Sequence, residues 1–567
     1  MAIYEKYVGA TRDDFISLED AQTNYKLTYP ETFNFAYDVV DELGKTKPDK
    51  VAMIWVSNEG EEKIFTFRDL MRASNKVANY LNYMGVRKGD RVMLVLKRHY
   101  YFWFVILALH KIGAVVVQAT NMLKAKDYIY RCNAGKIKAI IATGDGEVTE
   151  YFDEGEGQYE TVELKFVTKG KKVDGWIDFD DGFERANSEW QRPTGDQATC
   201  ADDMMLMAFS SGTSGYPKII THNFTYPLGH IMTGVFWHRV VDGGVHFTIS
   251  DTGWLKSLWG KIYGQWLGES AVLVYDFEKF EAKDILSKME KYKVTTFCVP
   301  PTMYRMLLKE DVKKYDLSAL THCCTAGEAL NPEIYNKWLE ATGHKIYEGF
   351  GQTETTLCIA TIRPWSEPVP GAIGFPVPGY DVHILGDDGE SCPRGATGEI
   401  CMRVLSKQRK SCGLLDSYNC SVEDTLIALH DGFYHTGDTA YRDEKGMFRY
   451  VGRNDDVIKS SGYRIGPFEI ESVMLEHAAV SEVAVTGVPD PLRGFAVKAT
   501  VVLSEGYTPS DELTKELQKY VKDNTAPYKY PRVIEYVDAL PKTFNGKIRR
   551  KEIRDNDSKS AEDTTLA

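Results

Sequence analysis

The chain has 567 residues, a length that exceeds one hydrophobic core and predicts several domains. Its hydrophobic content of 43% and charged content of 26% are ordinary for a soluble globular enzyme and exclude a largely disordered protein. The net charge of −13 argues against nucleic acid as a bulk partner, because duplex binding depends on clustered Lys and Arg.

The first clear elements follow one another between residues 92 and 118. Val92 to Leu96 is an apolar run, an aromatic-rich stretch of helical length extends to Ile112, and Ala114 to Gln118 is rich in β-branched residues. This order predicts a strand, a helix and a second strand of a parallel sheet. Residues 144 to 200 are rich in Gly, Asp and Glu, and we expect irregular connections there.

The alternation of helix and strand returns further along the chain. Lys279 to Tyr292 predicts an amphipathic helix, and Val294 to Val299 predicts a buried strand. Asn331 to Thr342 predicts a helix with Asn at its cap, Pro332 in its first turn and Gly343 just past its end. We therefore predict an α/β fold, with mixed sheets flanked by helices.

The character of the sequence changes after Arg453. Helix patterns alternate there with strand patterns over about 110 residues, a usual size for one domain. The predicted helices are Phe468 to His477 and Ser510 to Lys522, and the predicted strands are Val483 to Thr486 and Ala496 to Leu503. We expect a large N-terminal domain of residues 1–454 and a small mobile α+β domain of residues 455–567, ending in a disordered tail.

Targeting and redox signals are few. The run from Trp103 to Leu109 is too short to span a bilayer, so no membrane span is predicted, and residues 1–13 lack the apolar region of a signal peptide. The ten cysteines are scattered and form no Cys-x-x-Cys pair. Reduced thiols in a cytoplasmic protein are the simplest interpretation.

The loop from residue 210 to 218 reads Ser-Ser-Gly-Thr-Ser-Gly-Tyr-Pro-Lys. Glycines allow the backbone to approach an anion, and the hydroxyl groups add donors, so the loop suits a phosphate. It is not a Walker A loop, because Ile219 follows Lys218, and it is not a nucleophile elbow, because Tyr216 stands where glycine is required. A surface turn rich in Gly and Ser remains an alternative.

Three later segments strengthen the phosphate interpretation. They are Tyr-Glu-Gly-Phe-Gly-Gln-Thr-Glu-Thr at 347–355, His-Thr-Gly-Asp with Gly-Arg-Asn-Asp-Asp-Val-Ile-Lys-Ser-Ser-Gly-Tyr-Arg within 435–464, and Pro-Lys-Thr-Phe-Asn-Gly-Lys-Ile-Arg-Arg at 541–550. Together with the loop, in this order and spacing, they resemble the signature set of the AMP-forming acyl-CoA synthetases, and the resemblance runs from Phe65 to Arg550. It is closest to the short- and medium-chain acyl-CoA synthetases.

The resemblance implies ATP, CoA and Mg²⁺ as cofactors and a small carboxylic acid as substrate. It implies that the phosphate loop holds the β- and γ-phosphates, that Thr353 contacts the α-phosphate and that Glu354 coordinates Mg²⁺. Lys547 would bridge the substrate carboxylate and the α-phosphate. The phosphate-loop residues are Ser210, Ser211, Gly212, Thr213, Ser214, Gly215 and Lys218.

The rest of the implied nucleotide site surrounds the adenosine. Phe350 would lie against adenine, with the turn of Gly327, Glu328 and Ala329 on its other side, and the neighbouring Glu348 and Gly349 belong to the same site. Asp438 would accept hydrogen bonds from the ribose, with Arg453 nearby. Each residue alone has a structural alternative: a core Phe350, a surface-paired Asp438 and a solvated Lys547.

The second half-reaction, by the same resemblance, uses a rotation of the C-terminal domain about a hinge at Asp455. Ser461 and Gly462 would then line a pantetheine channel, whereas Arg464 would serve the adenylation pose. A plain turn is the alternative for the Ser-Gly-Tyr segment.

The acyl pocket is expected to differ from that of acetyl-CoA synthetases. Those enzymes carry tryptophan where this chain has Gly351 and valine where it has Ala326, so more space is expected here. The cluster of Trp237, Trp254 and Trp259 leaves a reshaped rather than a longer cavity as the alternative. Lys256 is unexpected beside an acyl chain, and we expect it to pair with Glu348 or another acid. The other predicted pocket residues are Trp254, Leu255 and Trp259, with Trp237 in the same cluster.

The resulting prediction is a ligase that activates a short- to medium-chain, possibly branched, carboxylic acid. An acetate- or aryl-acid-CoA ligase is an alternative within the superfamily, and a carrier-protein loading enzyme is disfavoured because no carrier domain follows. A non-catalytic nucleotide-binding protein on the same fold is the alternative from another class. Retention of Lys547, Glu354, Asp438 and Gly462 argues against it. The sequence leaves the oligomeric state open.

Overall fold

A computed structural model describes residues 1–170, 172–210, 217–404, 411–419, 421–460, 463–490, 493–542 and 547–565. The side chains at 459, 463, 464 and 558–565 lie outside that description.

Two large sheets form the body of the protein. One has nine strands, in the spatial order Phe375–Pro376, Ile359–Ala360, Ile346–Phe350, His322–Ala326, Thr296–Cys298, Val245–Thr248, Ala271–Asp276, Val51–Ser57 and Glu62–Thr66. The other has eight, in the order Ser417–Asn419, Ile219–Asn223, Met204–Phe209, Val115–Gln118, Arg91–Val95, Ile137–Gly144, Leu164–Gly170 and Ile177–Asp178. The inner strands of both sheets are parallel and almost wholly buried, as parallel sheets covered on both faces require.

Two smaller sheets complete the architecture. The first pairs Val382–Leu385, Gly398–Arg403, Phe433–Arg442 and Leu429–His430 in that order, with Phe448–Arg453 also on Phe433–Arg442. The second pairs Tyr463–Ile465, Ile458–Ser460, Gly494–Leu503 and Val480–Asp490, with Val533–Tyr536 also on Gly494–Leu503. The α/β fold class predicted from the sequence is confirmed.

Helices cover the faces of the sheets. The α-helices are Glu5–Val8, Leu18–Asn24, Glu42–Thr46, Phe67–Tyr83, Tyr101–Ile112, Ala125–Gly135, Val148–Asp153, Phe179–Arg185, Tyr226–Ile231, Lys256–Gly260, Tyr263–Leu267, Ala282–Lys291, Pro301–Leu307, Pro332–Thr342, Val422–Ala428, Pro467–Leu475, Asp511–Asn524 and Arg550–Thr565. Ala36–Asp41 and Met232–Trp237 are π-helical, and Arg12–Asp14, Gly195–Gln197 and Val312–Lys314 are 3₁₀ turns.

Helix Tyr101–Ile112 is buried along its whole length, which explains its aromatic and aliphatic sequence. Its one buried cation, Lys111, is compensated: Nζ lies 2.7 Å from Asp41 Oδ1 and 2.6 Å from Asn75 Oδ1. A fully buried lysine is tolerated only with such partners. The helix therefore forms part of the core that holds the two large sheets in place.

Local signals predicted several elements well. Helix Pro332–Thr342 has Asn331 as its cap, and Gly343 follows it with φ of 75°, as expected. Residues 144–200 differ from the expectation, because strand Leu164–Gly170 pairs in parallel with Ile137–Gly144. Where a disordered tail was expected, the backbone is helical to Thr565. The boundary at residue 454 stays a prediction.

Candidate active site

The candidate site lies where parallel strands of the two large sheets end. The loops after His322–Ala326 and Ile346–Phe350 leave the nine-stranded sheet at the carboxyl ends of neighbouring parallel strands. The predicted phosphate loop follows Met204–Phe209 of the eight-stranded sheet. Loops at the carboxyl ends of parallel strands are the usual ligand sites of α/β proteins.

Asp438 is a buried carboxylate with three donors. Tyr450 Oη donates to Oδ1 at 2.8 Å, and Arg453 Nη1 lies 3.3 Å from Oδ2. The third donor is Gln352 Nε2, which bonds Oδ2. Burial raises the pKa of Asp438, and the Arg453 charge opposes that shift. An ionised carboxylate offers about four acceptor positions, so three donors leave capacity for a hydroxyl group.

Gln352 is a site residue to which the sequence analysis gave no role. Its Oε1 accepts from Tyr434 Oη at 2.7 Å, and its Nε2 donates to the Thr436 carbonyl at 2.9 Å as well as to Asp438. The amide therefore joins the loop after Ile346–Phe350 to the sheet that carries Asp438. Its position directly before Thr353 was the sequence signal that could have identified it as a site residue.

Thr353 and Glu354 are held by other parts of the chain. His222 Nε2 lies 2.8 Å from the Thr353 carbonyl oxygen, and Leu415 N donates to the Glu354 carbonyl at 2.7 Å. Tyr418 Oη donates to Glu354 Oε1 at 2.9 Å. Burial raises the pKa of Glu354, and the Tyr418 hydrogen bond opposes that shift. No described Lys or Arg forms an ion pair with this carboxylate.

The ends of the predicted phosphate loop are fixed. Ser210 N donates to the Lys218 carbonyl at 2.9 Å, which closes the loop between two antiparallel strands. Lys218 Nζ lies 2.8 Å from Asp424 Oδ1 and 5.2 Å from the centre of the Tyr418 ring. The predicted residues Ser211, Gly212, Thr213, Ser214 and Gly215 lie outside the described residues.

The predicted adenine site has a turn and an aromatic ring. Gly327 has φ of 98°, a conformation that favours glycine, and the half-buried Ala329 follows in the same turn. Glu328 Oε2 accepts from Thr302 Oγ1 at 2.6 Å. Phe350 is half-buried, and its ring centre lies 6.3 Å from that of Tyr450. Phe350 therefore keeps an accessible face beside the Asp438 cluster.

The expected pairing of Lys256 with Glu348 is wrong. Lys256 Nζ donates to the Ala326 carbonyl at 2.6 Å, whereas Glu348 Oε1 accepts from Leu330 N at 3.1 Å. Burial raises the pKa of Glu348 to about 8 and lowers that of Lys256. Each group instead satisfies a backbone group, Lys256 at the last residue of strand His322–Ala326 and Glu348 in the turn that follows it.

The expected extra space at Gly351 is also wrong. A Cβ atom on this residue would lie 2.4 Å from Trp259 Cη2 and 2.4 Å from the Thr356 carbonyl oxygen. The indole of Trp259 thus occupies the volume that the missing side chain would free. Gly349 is similarly enclosed, since a Cβ there would lie 2.7 Å from Trp237 Cζ2.

The other predicted pocket residues surround these two tryptophans. Leu255 and Ala326 are buried, and Trp254 is half-buried at the start of helix Lys256–Gly260. Trp259 packs edge-to-face on His230 with ring centres 5.8 Å apart. Aromatic rings therefore lie against both Gly351 and Gly349.

Residues of the C-terminal part reach this site. Lys547 is exposed; burial raises the pKa of Asp438 and lowers that of Lys256, and the Lys547 charge is a minor cause that lowers both. Asp455 is exposed, with Oδ1 3.7 Å from Arg453 Nε. Arg464 lies on strand Tyr463–Ile465, but its side chain is outside the description, as are Ser461 and Gly462.

Family comparison divides the chain into two matched regions. Residues 40–406 match the family described as AMP-binding enzyme, and residues 469–547 match the AMP-binding enzyme C-terminal domain. The first match covers more than half of the chain, and it includes the phosphate loop and Glu354. The second match ends at Lys547.

Curated relatives align along nearly the whole chain. The acyl-coenzyme A synthetase ACSM3, mitochondrial, of Mus musculus is 38% identical over 565 residues, covering 97% of this chain and 95% of its own. The acyl-coenzyme A synthetase ACSM4, mitochondrial, of Rattus norvegicus is 39% identical over 557 residues, covering 96% and 94%.

Solved structures share the fold. The anthranilate CoA ligase AuaEII, crystallised with anthranoyl-AMP, superposes with a TM-score of 0.85 at 28% identity, covering 94% of this chain and 99% of its own. A benzoate CoA ligase from Burkholderia xenovorans LB400 superposes with a TM-score of 0.78 at 26% identity, covering 92% and 100%.

These comparisons correct the expected cellular location. The cytoplasmic assignment is contradicted, because the ACSM3 and ACSM4 relatives are mitochondrial proteins by name. Scattered cysteines indicate a reducing environment, but many compartments provide one, so that signal could not select the cytoplasm. Among the described residues, every helix is too short or too polar to cross a membrane.

Proposed function

We propose a division of the two half-reactions among the residues of this chain. The chain belongs to the AMP-binding enzyme family and is an AMP-forming acyl-CoA synthetase. The enzyme consumes ATP, CoA and a carboxylic acid. The observation that carries the proposal is the buried carboxylate of Asp438, which Tyr450, Arg453 and Gln352 hold beside the loop of Thr353 and Glu354.

In the first half-reaction, the acid carboxylate attacks the α-phosphate of ATP and pyrophosphate leaves. Two anions must meet, so a positive charge at the reacting atoms lowers the barrier. The protonated Lys547 would bridge the carboxylate and the α-phosphate, and Thr353 would contact the same phosphate. The loop from Ser210 to Lys218 would hold the β- and γ-phosphates with its N–H and hydroxyl donors.

The adenosine would be held by the groups around Asp438. Its carboxylate has acceptor capacity for the ribose hydroxyls, and Arg453, Tyr450 and Gln352 fix its orientation. Phe350 offers its accessible face to adenine, opposite the turn of Gly327, Glu328 and Ala329.

Glu354 fits the Mg²⁺ that the family uses. Its carboxylate is half-buried, has a raised pKa and forms no ion pair with a described Lys or Arg. A hard cation prefers such an oxygen ligand, and Tyr418 orients it through Oε1. Bound there, Mg²⁺ would neutralise negative charge on the phosphates.

In the second half-reaction, the CoA thiol attacks the acyl carbonyl and AMP leaves. We assign the hinge to Asp455, between an N-terminal domain of residues 1–454 and a mobile C-terminal domain of residues 455–567. Asp455 is exposed and lies between two separate sheets, which supports a hinge there. Gly462 and Ser461 would line the pantetheine route after rotation, and Arg464 would serve the first pose.

The acid is proposed to be short- to medium-chain, possibly branched. Trp259 and Trp237 enclose Gly351 and Gly349, so the pocket is limited by aromatic walls. An aryl acid is the second candidate, because flat rings suit aromatic walls and because two solved relatives are an anthranilate and a benzoate CoA ligase.

A panel of acids separates these candidates. We would measure CoA-dependent AMP release with straight and branched acids from acetate to octanoate, together with benzoate and anthranilate. A maximum of kcat/KM at four to eight carbons supports the aliphatic assignment. A maximum at benzoate or anthranilate refutes it in favour of the aryl acid, and a maximum at acetate refutes both.

A further inference from the structure

Three side chains of different chemistry converge on one face of the small sheet that carries Asp438. Glu399 and Cys401 are two residues apart on strand Gly398–Arg403, so both point to the same face. His435 stands directly opposite Cys401 on strand Phe433–Arg442. One ligand atom of each residue lies within 4.8 Å of the other two.

The distances match the edges of a tetrahedral metal site. His435 Nδ1 lies 3.4 Å from Cys401 Sγ and 3.1 Å from Glu399 Oε2. Metal bonds of about 2.0 Å to nitrogen and oxygen and about 2.3 Å to sulfur give tetrahedral edges of about 3.5 Å for N to S and about 3.3 Å for N to O. The two distances from His435 Nδ1 therefore differ from those edges by only a few tenths of an ångström, and the third edge, between Cys401 and Glu399, is within 4.8 Å.

Hydrogen bonding satisfies this arrangement only weakly, because sulfur is a poor donor and a poor acceptor. Both Cys401 and Glu399 approach the same imidazole nitrogen, which carries at most one proton. If Nδ1 is protonated it donates to the carboxylate and cannot accept from the thiol; if it is bare it accepts from the thiol and faces the carboxylate lone pairs. The shared nitrogen also excludes a relay through both imidazole nitrogens, as in a catalytic triad. A cation satisfies all three atoms together.

The surroundings hold these groups in place. Gly437 N donates to Glu399 Oε1 at 2.7 Å, which aims Oε2 at the cluster. The His430 ring stacks on that of His435 with centres 3.7 Å apart, which fixes the imidazole plane. Hydrogen bonds and packing that orient the metal-binding side chains are usual in metal sites. The side chains of His435 and Glu399 are 17% and 22% exposed, so an ion can reach them.

We propose that Glu399, Cys401 and His435 form a binding site for a borderline divalent cation such as Zn²⁺, separate from the Mg²⁺ at Glu354. A thiolate and an imidazole select Zn²⁺ or Co²⁺ over Mg²⁺. The Cys401 S–H bond breaks as the metal–sulfur bond forms, and one proton passes to solvent for each ion bound. The fourth position is left for water.

This site would act on nucleotide binding through one short segment. Gly437, bonded to Glu399, directly precedes Asp438. An ion that fixes Glu399 and His435 also fixes the strand on which the ribose carboxylate stands. We therefore expect the KM for ATP to change when the site is filled.

Cobalt provides the test, because a thiolate bound to Co²⁺ gives a charge-transfer absorption that oxygen and nitrogen ligands do not. We would titrate the metal-free full chain with Co²⁺, and then add Zn²⁺ or Mg²⁺ as competitor. One equivalent of Co²⁺ should produce the band, Zn²⁺ should remove it and Mg²⁺ should not.

Variants link the band to these residues. Cys401→Ser should abolish it, whereas Cys200→Ser, at an exposed cysteine elsewhere, should keep it. Glu399→Gln still accepts from Gly437 N but is a poor ligand, so its affinity for Co²⁺ should fall more than the roughly 10- to 100-fold typical of changes around the ligands. The Glu399→Gln result decides the matter if Cys401→Ser does not fold. Absence of the band in the unmodified chain, its persistence in Cys401→Ser, or unchanged affinity in Glu399→Gln would overturn the proposal.

Discussion

We predict that Trp259 limits the length of acid that the pocket accepts and that its replacement by leucine extends that length. Its indole occupies the volume beside Gly351, with Cη2 2.4 Å from the position of a Cβ atom on that glycine. Trp259→Leu removes the ring while it keeps an apolar side chain. The freed volume adjoins Gly351, which we assign to the acyl pocket.

The size of the effect follows from the burial of methylene groups. Each methylene that moves from water into an apolar pocket gains about 0.8 kcal/mol. Two further methylenes gain about 1.6 kcal/mol, a factor of about 15 at 25 °C. The ratio of kcat/KM for hexanoate to that for butyrate should therefore rise by up to about 15-fold in Trp259→Leu.

The assay is CoA-dependent AMP release with each acid at several concentrations. Trp338→Leu is the matched control, because Trp338 is also fully buried but belongs to a different core cluster. Both variants should lose stability, and only Trp259→Leu should change acid preference. An unchanged hexanoate-to-butyrate ratio, or an equal change in Trp338→Leu, would refute the placement of Trp259 in the acyl pocket.

Four further changes test other parts of the assignment. Lys547→Ala should slow acyl-adenylate formation by about 100- to 1,000-fold, which is the range for loss of one transition-state donor. It should affect thioester formation from supplied acyl-adenylate far less. Equal losses in the two half-reactions would count against its role. Gly462→Leu should leave single-turnover pyrophosphate release intact and block acyl-CoA formation, because a branched side chain fills a channel sized for the thiol arm of CoA. Loss of both products would contradict a role for Gly462 in the thioester step alone. Gly351→Trp should lower the denaturation midpoint rather than restrict the enzyme to acetate, because even the Cβ atom of the new side chain would clash with a backbone carbonyl and with Trp259. A stable, acetate-selective variant would show that Trp259 moves aside. Glu348 has a pKa of about 8 in the folded state, so the free energy of unfolding should fall as pH rises from about 4.5 to about 8. In Glu348→Gln, denaturation across that pH range should show a smaller fall in the free energy of unfolding.

Elements with local signals were predictable from the sequence, and elements fixed by distant partners were not. Helix Pro332–Thr342 carries its cap, its proline and its terminal glycine within its own sequence. Strand Leu164–Gly170 has no comparable pattern, because it lies toward the edge of its sheet and is only half-buried at its first residues. Its place is determined by pairing with Ile137–Gly144.

The same division holds for the candidate site. The motif around Thr353 and Glu354 predicted a role for one loop, because its residues are contiguous, and that role stays a prediction. The contact between Trp259 and Gly351 joins positions 92 residues apart, and no local pattern announces it. Lys256 was expected to find a carboxylate, but a backbone carbonyl at Ala326 satisfies it. Such choices depend on which polar group the fold brings nearest.

The Tyr418 side chain, which bonds Glu354 with its hydroxyl and faces Lys218 with its ring, has a thermodynamic consequence. Its strand also pairs with Ile219–Asn223, which leads directly out of the phosphate loop. A ligand that orders either the loop or Glu354 thereby lowers the entropy cost of ordering the other. ATP and Mg²⁺ should then bind with positive cooperativity, and by linkage each should raise the affinity of the other by the same factor. Tyr418→Leu removes both contacts at once, so this coupling should decrease in that variant.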